Sequence, residues 1–200
     1  MQKYFSLEGG IYRGLSLMGD LITLNLLLIV TSLPILTMGA SLSAAYGICF
    51  KLIKGERVEI RKSYLTAFKE TFQLSTLIFL THLGVMGFLA VAIKLIGVEW
   101  IVFPLLVVLA MWLLLNEMLY PLLSLRHFSY KELYRQSFGI TLKYLVPLVA
   151  SFMLTLIGLL WPVFLIKLSF IWLALGGALI IYLKSKLLTH VLTKLKIEEN

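Results

Sequence analysis

Between positions 72 and 93 the chain runs 22 residues without a charged side chain. A helix of that length is about 33 Å long, enough to cross the hydrocarbon core of a bilayer. The feature repeats. Residues 21–50 carry no charge, residues 100–123 are interrupted only by Asn116 and Glu117, and residues 144–183 hold a single charge, Lys167. With 60% hydrophobic and 14% charged residues and a mean hydropathy of +0.96, a polar surface cannot be assembled around these stretches. A soluble enzyme, a disulfide scaffold, a disordered chain and a nucleic-acid module are excluded, and the solvent for most of this chain is lipid.

The runs divide into helices by length and by breaks. Pro34 interrupts the first uncharged stretch, and the composition then changes from Leu/Ile-rich to small and polar. This predicts two helical pieces, about 17–36 and 37–53. The segments at about 72–94 and 100–123 are joined by a short link and form a hairpin. The 40 residues 144–183 are too long for one crossing and predict a second hairpin, 144–162 and 167–184, turning near 161–167. The expected fold is all-α: a polytopic transmembrane helix bundle of five or six membrane helices, forming a single domain over residues 1–200. Six place both termini in the cytoplasm, and five place the N-terminus outside. No A-x-A-like cleavage site follows the first apolar run, which is therefore read as a retained span.

Orientation follows from the basic residues. Lys51, Lys54, Arg57, Arg61, Lys62 and Lys69 precede the first hairpin, Arg126, Lys131, Arg135 and Lys143 lie between the hairpins, and Lys184, Lys186, Lys194 and Lys196 follow the second. Only Lys94 and Lys167 fall on the opposite side. Positive charge is held on the cytoplasmic side, so these connections and the C-terminus are assigned there, and the protein to the cell membrane. The formal net charge of +8 is then accounted for by orientation, with no nucleic-acid partner. Two short stretches, 60–71 and 129–142, align Tyr64 with Tyr134, Phe68 with Phe138 and Thr71 with Thr141 at an offset of 70 residues. Aromatics at i and i+4 among Lys, Arg, Glu and Gln predict cytoplasmic amphipathic helices, as interfacial anchors or as docking surfaces for another membrane protein.

Polar groups at membrane depth are costly and so mark function or helix contacts. There are five: Asp20, Asn25, His82, Asn116 and Glu117. Asp20 is expected to reach headgroups or to pair with Arg13, Glu117 to form a salt bridge toward Arg126 and the basic loops, and His82 to bond between helices. Gly39, Ser43 and Gly47, four residues apart with Ala40 and Ala44 beside them, predict a flat face for close helix packing. Enzymatic constellations are missing from the sequence: His82, His127, His190 and the lone Cys49 are isolated, and there is no GxSxG, Walker, HExxH or GxGxxG pattern. No catalytic residue, metal ligand or cofactor is expected, and the chain reads as no enzyme. Cys49 in its apolar setting reads as an inert buried thiol.

The run NLLLIVTSLPILTMGASLSAAYGICFKLIKGE from Asn25 to Glu56, followed by YLTAFKETF from Tyr64, resembles the YesL family of small bacterial integral membrane proteins. The resemblance covers roughly residues 8–75. It implies a protein found with genes for carbohydrate uptake through ABC transporters and for polysaccharide breakdown, and it carries over no catalytic residue. Two functions are then expected. The first is an accessory or scaffold protein docking through its cytoplasmic helices and small-residue helix onto an ABC sugar permease, with homo-oligomers possible. The alternative is a small transporter or channel for a small solute, whose polar wall would be the five intramembrane residues. They are separated by whether those five converge on one cavity or scatter among helix contacts.

Overall fold

The structure, a computed structural model, describes residues 10–96, 99–164 and 172–194. Its elements are α1 (Gly10–Ser32), a single 3-10 turn (Ile35–Thr37), α2 (Met38–Ile53), α3 (Ile60–Ile96), α4 (Glu99–Leu125), α5 (Tyr130–Lys143), α6 (Leu145–Phe164) and, after a wide π-type turn (Trp172–Gly176), α7 (Gly177–Lys194). Among the described residues there is no strand, and six helical stretches are long and apolar enough to cross a membrane. In lipid the backbone polar groups must be satisfied by the protein itself, and uninterrupted apolar runs of about 20 residues do so as helices, each making its own hydrogen bonds.

The small-residue helix α2 is the hub, touching α1, α3, α4 and α7. Ten of its residues are buried, Gly39, Ser43 and Ala44 among them. The two glycines of the predicted packing face serve different neighbours. A Cβ at Gly39 would lie 2.5 Å from the Ser75 carbonyl oxygen on α3, whereas one at Gly47 would meet the Ser124 Cβ on α4 at 3.6 Å. Close approach is thus real, but it is spent inside the chain, and α2 presents no free face for docking.

Three further differences from the sequence reading have physical causes. The stretch 60–71, expected as a separate surface helix, is the opening of α3, a continuous helix of 37 residues; no Gly or Pro lies between Ile60 and Gln73 to break it. Tyr64, expected on a docking surface, is fully buried: its hydroxyl lies 2.6 Å from the Thr31 hydroxyl, which also accepts from Ser41 Oγ at 2.9 Å. A phenol can pack its ring in the core while its hydroxyl closes a polar contact, so its amphipathic spacing points inward here. The last helix continues to Lys194, past the predicted end at 184, because Leu188, Val191 and Leu192 supply a buried stripe beyond it. Of the turn expected near 161–167, positions 161–164 are still helical, the end of α6 at Phe164, and 165–167 lie outside the described residues, as do Lys3 and Lys196.

Candidate functional site: the intramembrane polar contacts

The most concentrated polar chemistry lies where α4, α6 and α7 meet. Glu117 Oε2 is 2.7 Å from Lys184 Nζ, and both side chains are 8% exposed. Ser151 Oγ donates to Glu117 Oε2 at 2.7 Å, and Thr155 Oγ1 donates to Oε1 at 3.0 Å. Lys184 Nζ in turn donates to Thr155 Oγ1 at 2.9 Å, so the threonine hydroxyl gives to the acid and receives from the base. Tyr46 of α2 closes the fourth side, its ring centroid 5.8 Å from the ammonium. Ser151 and Thr155 are one turn apart on α6 and so face the same way. A buried charge pair is tolerable only when its remaining lone pairs and protons are also satisfied, and the hydroxyls do that.

The sequence places Lys184 among the basic residues on the cytoplasmic side and pairs Glu117 with Arg126 and the basic loops; in the structure the partner of Glu117 is Lys184, turned inward. A lysine at the end of an apolar run looks the same whether it reaches outward to headgroups or inward to a carboxylate. The apolar pattern persisting beyond it, at Leu187, Leu188, Val191 and Leu192, was the available signal. The hydroxyls of Ser151 and Thr155 are its supporting contacts.

Asn25 makes a second contact. Buried on α1, it donates from Nδ2 to the Leu173 carbonyl at 2.7 Å and accepts at Oδ1 from the Ala178 N–H at 2.9 Å. The wide turn Trp172–Gly176 takes backbone groups out of the regular ladder, and one amide side chain supplies both the donor and the acceptor they need. A Cβ at Gly177 would lie 2.8 Å from Asn25 Oδ1 and 3.1 Å from Leu28 Cδ2, so the glycine is what lets α1 come this near.

His82 belongs to a third group. Trp112 Nε1–H donates to His82 Nδ1 at 3.1 Å across α3 and α4, with the rings 8° from parallel; the acceptor role fixes the imidazole proton, in the neutral form, on Nε2. Trp112 stacks on Tyr134 of α5 at 5.9 Å, Tyr134 packs on Tyr130 at 4.9 Å, and the Tyr130 hydroxyl reaches Thr81 at 3.1 Å. Burial pushes the Tyr134 phenol above its ordinary pKa. Asn116 bonds within its own helix, Nδ2 to the Trp112 carbonyl at 2.7 Å. Asp20 is half-buried on α1.

The five predicted residues are therefore distributed over separate contacts. None of the five lines the clefts along α5, along the first half of α3 or beside α6 and α7. Of the aromatic pairs in the internal repeat, Tyr64 is buried, Tyr134 and Phe68 are half-buried, and Phe138 is 52% exposed. No group of three or more His, Cys, Asp or Glu among the described residues could hold a metal ion.

No curated protein and no solved structure matches the chain. Residues 21–93, from α1 at Leu21 through α2 into most of α3, match the profile of the family described as Protein of unknown function, DUF624. Over that stretch, a little more than a third of its length, this membrane-spanning helical protein is similar to that family.

Proposed function

We propose that the protein is an integral membrane accessory or scaffold protein of the cell membrane, its C-terminus in the cytoplasm, serving an ABC-type carbohydrate uptake system. One observation carries the structural part: the intramembrane polar groups with the strongest contacts are used to join helices, Asn25 to the α7 turn, His82 to Trp112, and Glu117 to Lys184, Ser151 and Thr155. A conduit needs such groups to face a path; here they face each other. The carbohydrate context comes from the resemblance to the YesL family. Since α2 is enclosed by its own neighbours, the docking surface is assigned to the outer face of α5, where Phe138 is exposed.

The test is purification of the tagged chain from native membranes in a mild detergent, with crosslinking mass spectrometry, after growth on a complex plant polysaccharide and on glucose. Crosslinks from Lys62, Lys69 or Lys131 to a permease are expected on polysaccharide. A homo-oligomer without other partners under both conditions contradicts the reading.

The buried Glu117–Lys184 pair favours a second reading, a small autonomous transporter or channel, because intramembrane ion pairs also serve ion and proton coupling. On that reading Glu117→Gln abolishes a solute flux in proteoliposomes. On ours the variant lowers thermal stability and leaves any flux unchanged.

A further inference from the structure

Helix α5 has two unlike faces. Leu133, Ser137, Ile140 and Thr141 are buried, and Tyr134 leans on Trp112 of α4. The opposite face carries exposed Lys131, Arg135 and Lys143. Beside these, Phe138 and Leu142 are 52% and 57% exposed. Gly139 sits between Arg135 and Lys143 at four-residue spacing, and a Cβ there would meet nothing within 4 Å. The missing side chain leaves a cleft of about 240 Å³ lined by Arg135, Gln136, Gly139, Ile140 and Lys143. Its polar side chains are all N–H donors, a guanidinium, an amide and an ammonium. The helix's one carboxylate, Glu132, is half-buried and does not line the cleft.

We propose that this cleft binds the phosphodiester headgroup of an anionic phospholipid of the surrounding bilayer. Arg135 presents a planar donor fork that matches phosphate oxygens, Lys143 adds a second positive charge, and Gln136 supplies a neutral donor. The neighbouring Phe138 and Leu142 give the acyl chains an apolar surface, which a free phosphate or a soluble acid would not need. Exposed aromatic and aliphatic side chains on an otherwise basic helix have the composition of an in-plane segment at the headgroup boundary. The site shares the outer face of α5, Phe138 included, with the docking surface proposed above; its test reads lipid retention by the purified chain alone, so failure of the docking reading and failure of the lipid site are distinguishable.

The experiment uses the purified full chain in phosphatidylcholine nanodiscs with and without phosphatidylglycerol, counting retained lipid by native mass spectrometry and titrating its affinity. Arg135→Gln and Lys143→Gln are each expected to weaken phosphatidylglycerol retention about fivefold, and the double variant about thirtyfold. Gly139→Leu, which keeps every charge and fills the cleft, is expected to weaken it as well, while Lys51→Gln with Lys62→Gln, on the far basic segment, leaves it unchanged. An equal loss from the Lys51 and Lys62 pair, undiminished retention in Gly139→Leu, or displacement of the lipid by inorganic phosphate would each overturn the proposal.

Discussion

Helix α2 and the outer half of the α3–α4 hairpin face opposite conditions. In the apolar stretch of α2, 56% of residues are buried within the chain, and in the last span 44%; in α3 and α4 the figure is 17%. Those two most buried spans are also the least apolar of the six. The hairpin is the reverse: Phe88, Leu95, Trp100 and Phe103 are 70% exposed or more, and this is where the most hydrophobic sequence lies. Because lipid is as apolar as leucine, hydrophobicity alone gives no reason for membrane helices to associate, and small residues and polar contacts do that instead. The hydrophobic sequence marks what faces lipid, and the moderately polar sequence marks what holds the bundle together.

The sharpest way to break this comparison is to leave one member of the inner ion pair alone. Lys184→Met strands Glu117 in a buried site and is expected to cost about 3–5 kcal/mol, read as loss of folded protein by chemical denaturation in bicelles. The next effect is steric. Gly39→Ala drives a methyl group against the Ser75 carbonyl and is expected to destabilise by about 1–3 kcal/mol, whereas Gly84→Ala and Gly87→Ala, at hairpin positions where a Cβ meets nothing within 4 Å, stay within about 0.5 kcal/mol of the parent. Equal costs at Gly39 and Gly84 would dissolve the distinction between the two regions. Asn25→Leu removes two buried hydrogen bonds to the α7 turn and is expected to cost about 1–2 kcal/mol, with faster amide exchange around Ala178. The smallest effect is Trp112→Phe, which keeps the ring contact and loses the bond to His82, at about 0.6 kcal/mol.

How far the sequence could be read follows the same division. The spans were legible because length and hydropathy are imposed by the bilayer, not by a particular neighbour. Gly39 and Gly47 were legible as packing positions because a missing side chain has few other uses inside an apolar helix, but their partners, Ser75 and Ser124, depend on which helices meet. Glu117 stood out as costly, yet its partner did not, since Lys184 lies 67 positions away and carries the pattern of an interfacial lysine. The aromatics at 64 and 134 share spacing and opposite fates, one enclosed by Thr31 and Ser41 and the other half-covered by Trp112. Amphipathic periodicity says that a helix has two faces and leaves open which of them is covered by protein. The role of Asn25 was the least accessible, because it answers a wide turn in another helix that no local pattern announces.

The central claim, that the intramembrane polar residues act as locks between helices, is tested most directly by a double-mutant cycle on Glu117 and Lys184 in a bilayer mimic. The account predicts that Lys184→Met and Glu117→Met each destabilise strongly and that the double variant, with neither charge left buried, regains most of the loss. Single variants as stable as the parent, or a double variant whose loss equals the sum of the two, would contradict it.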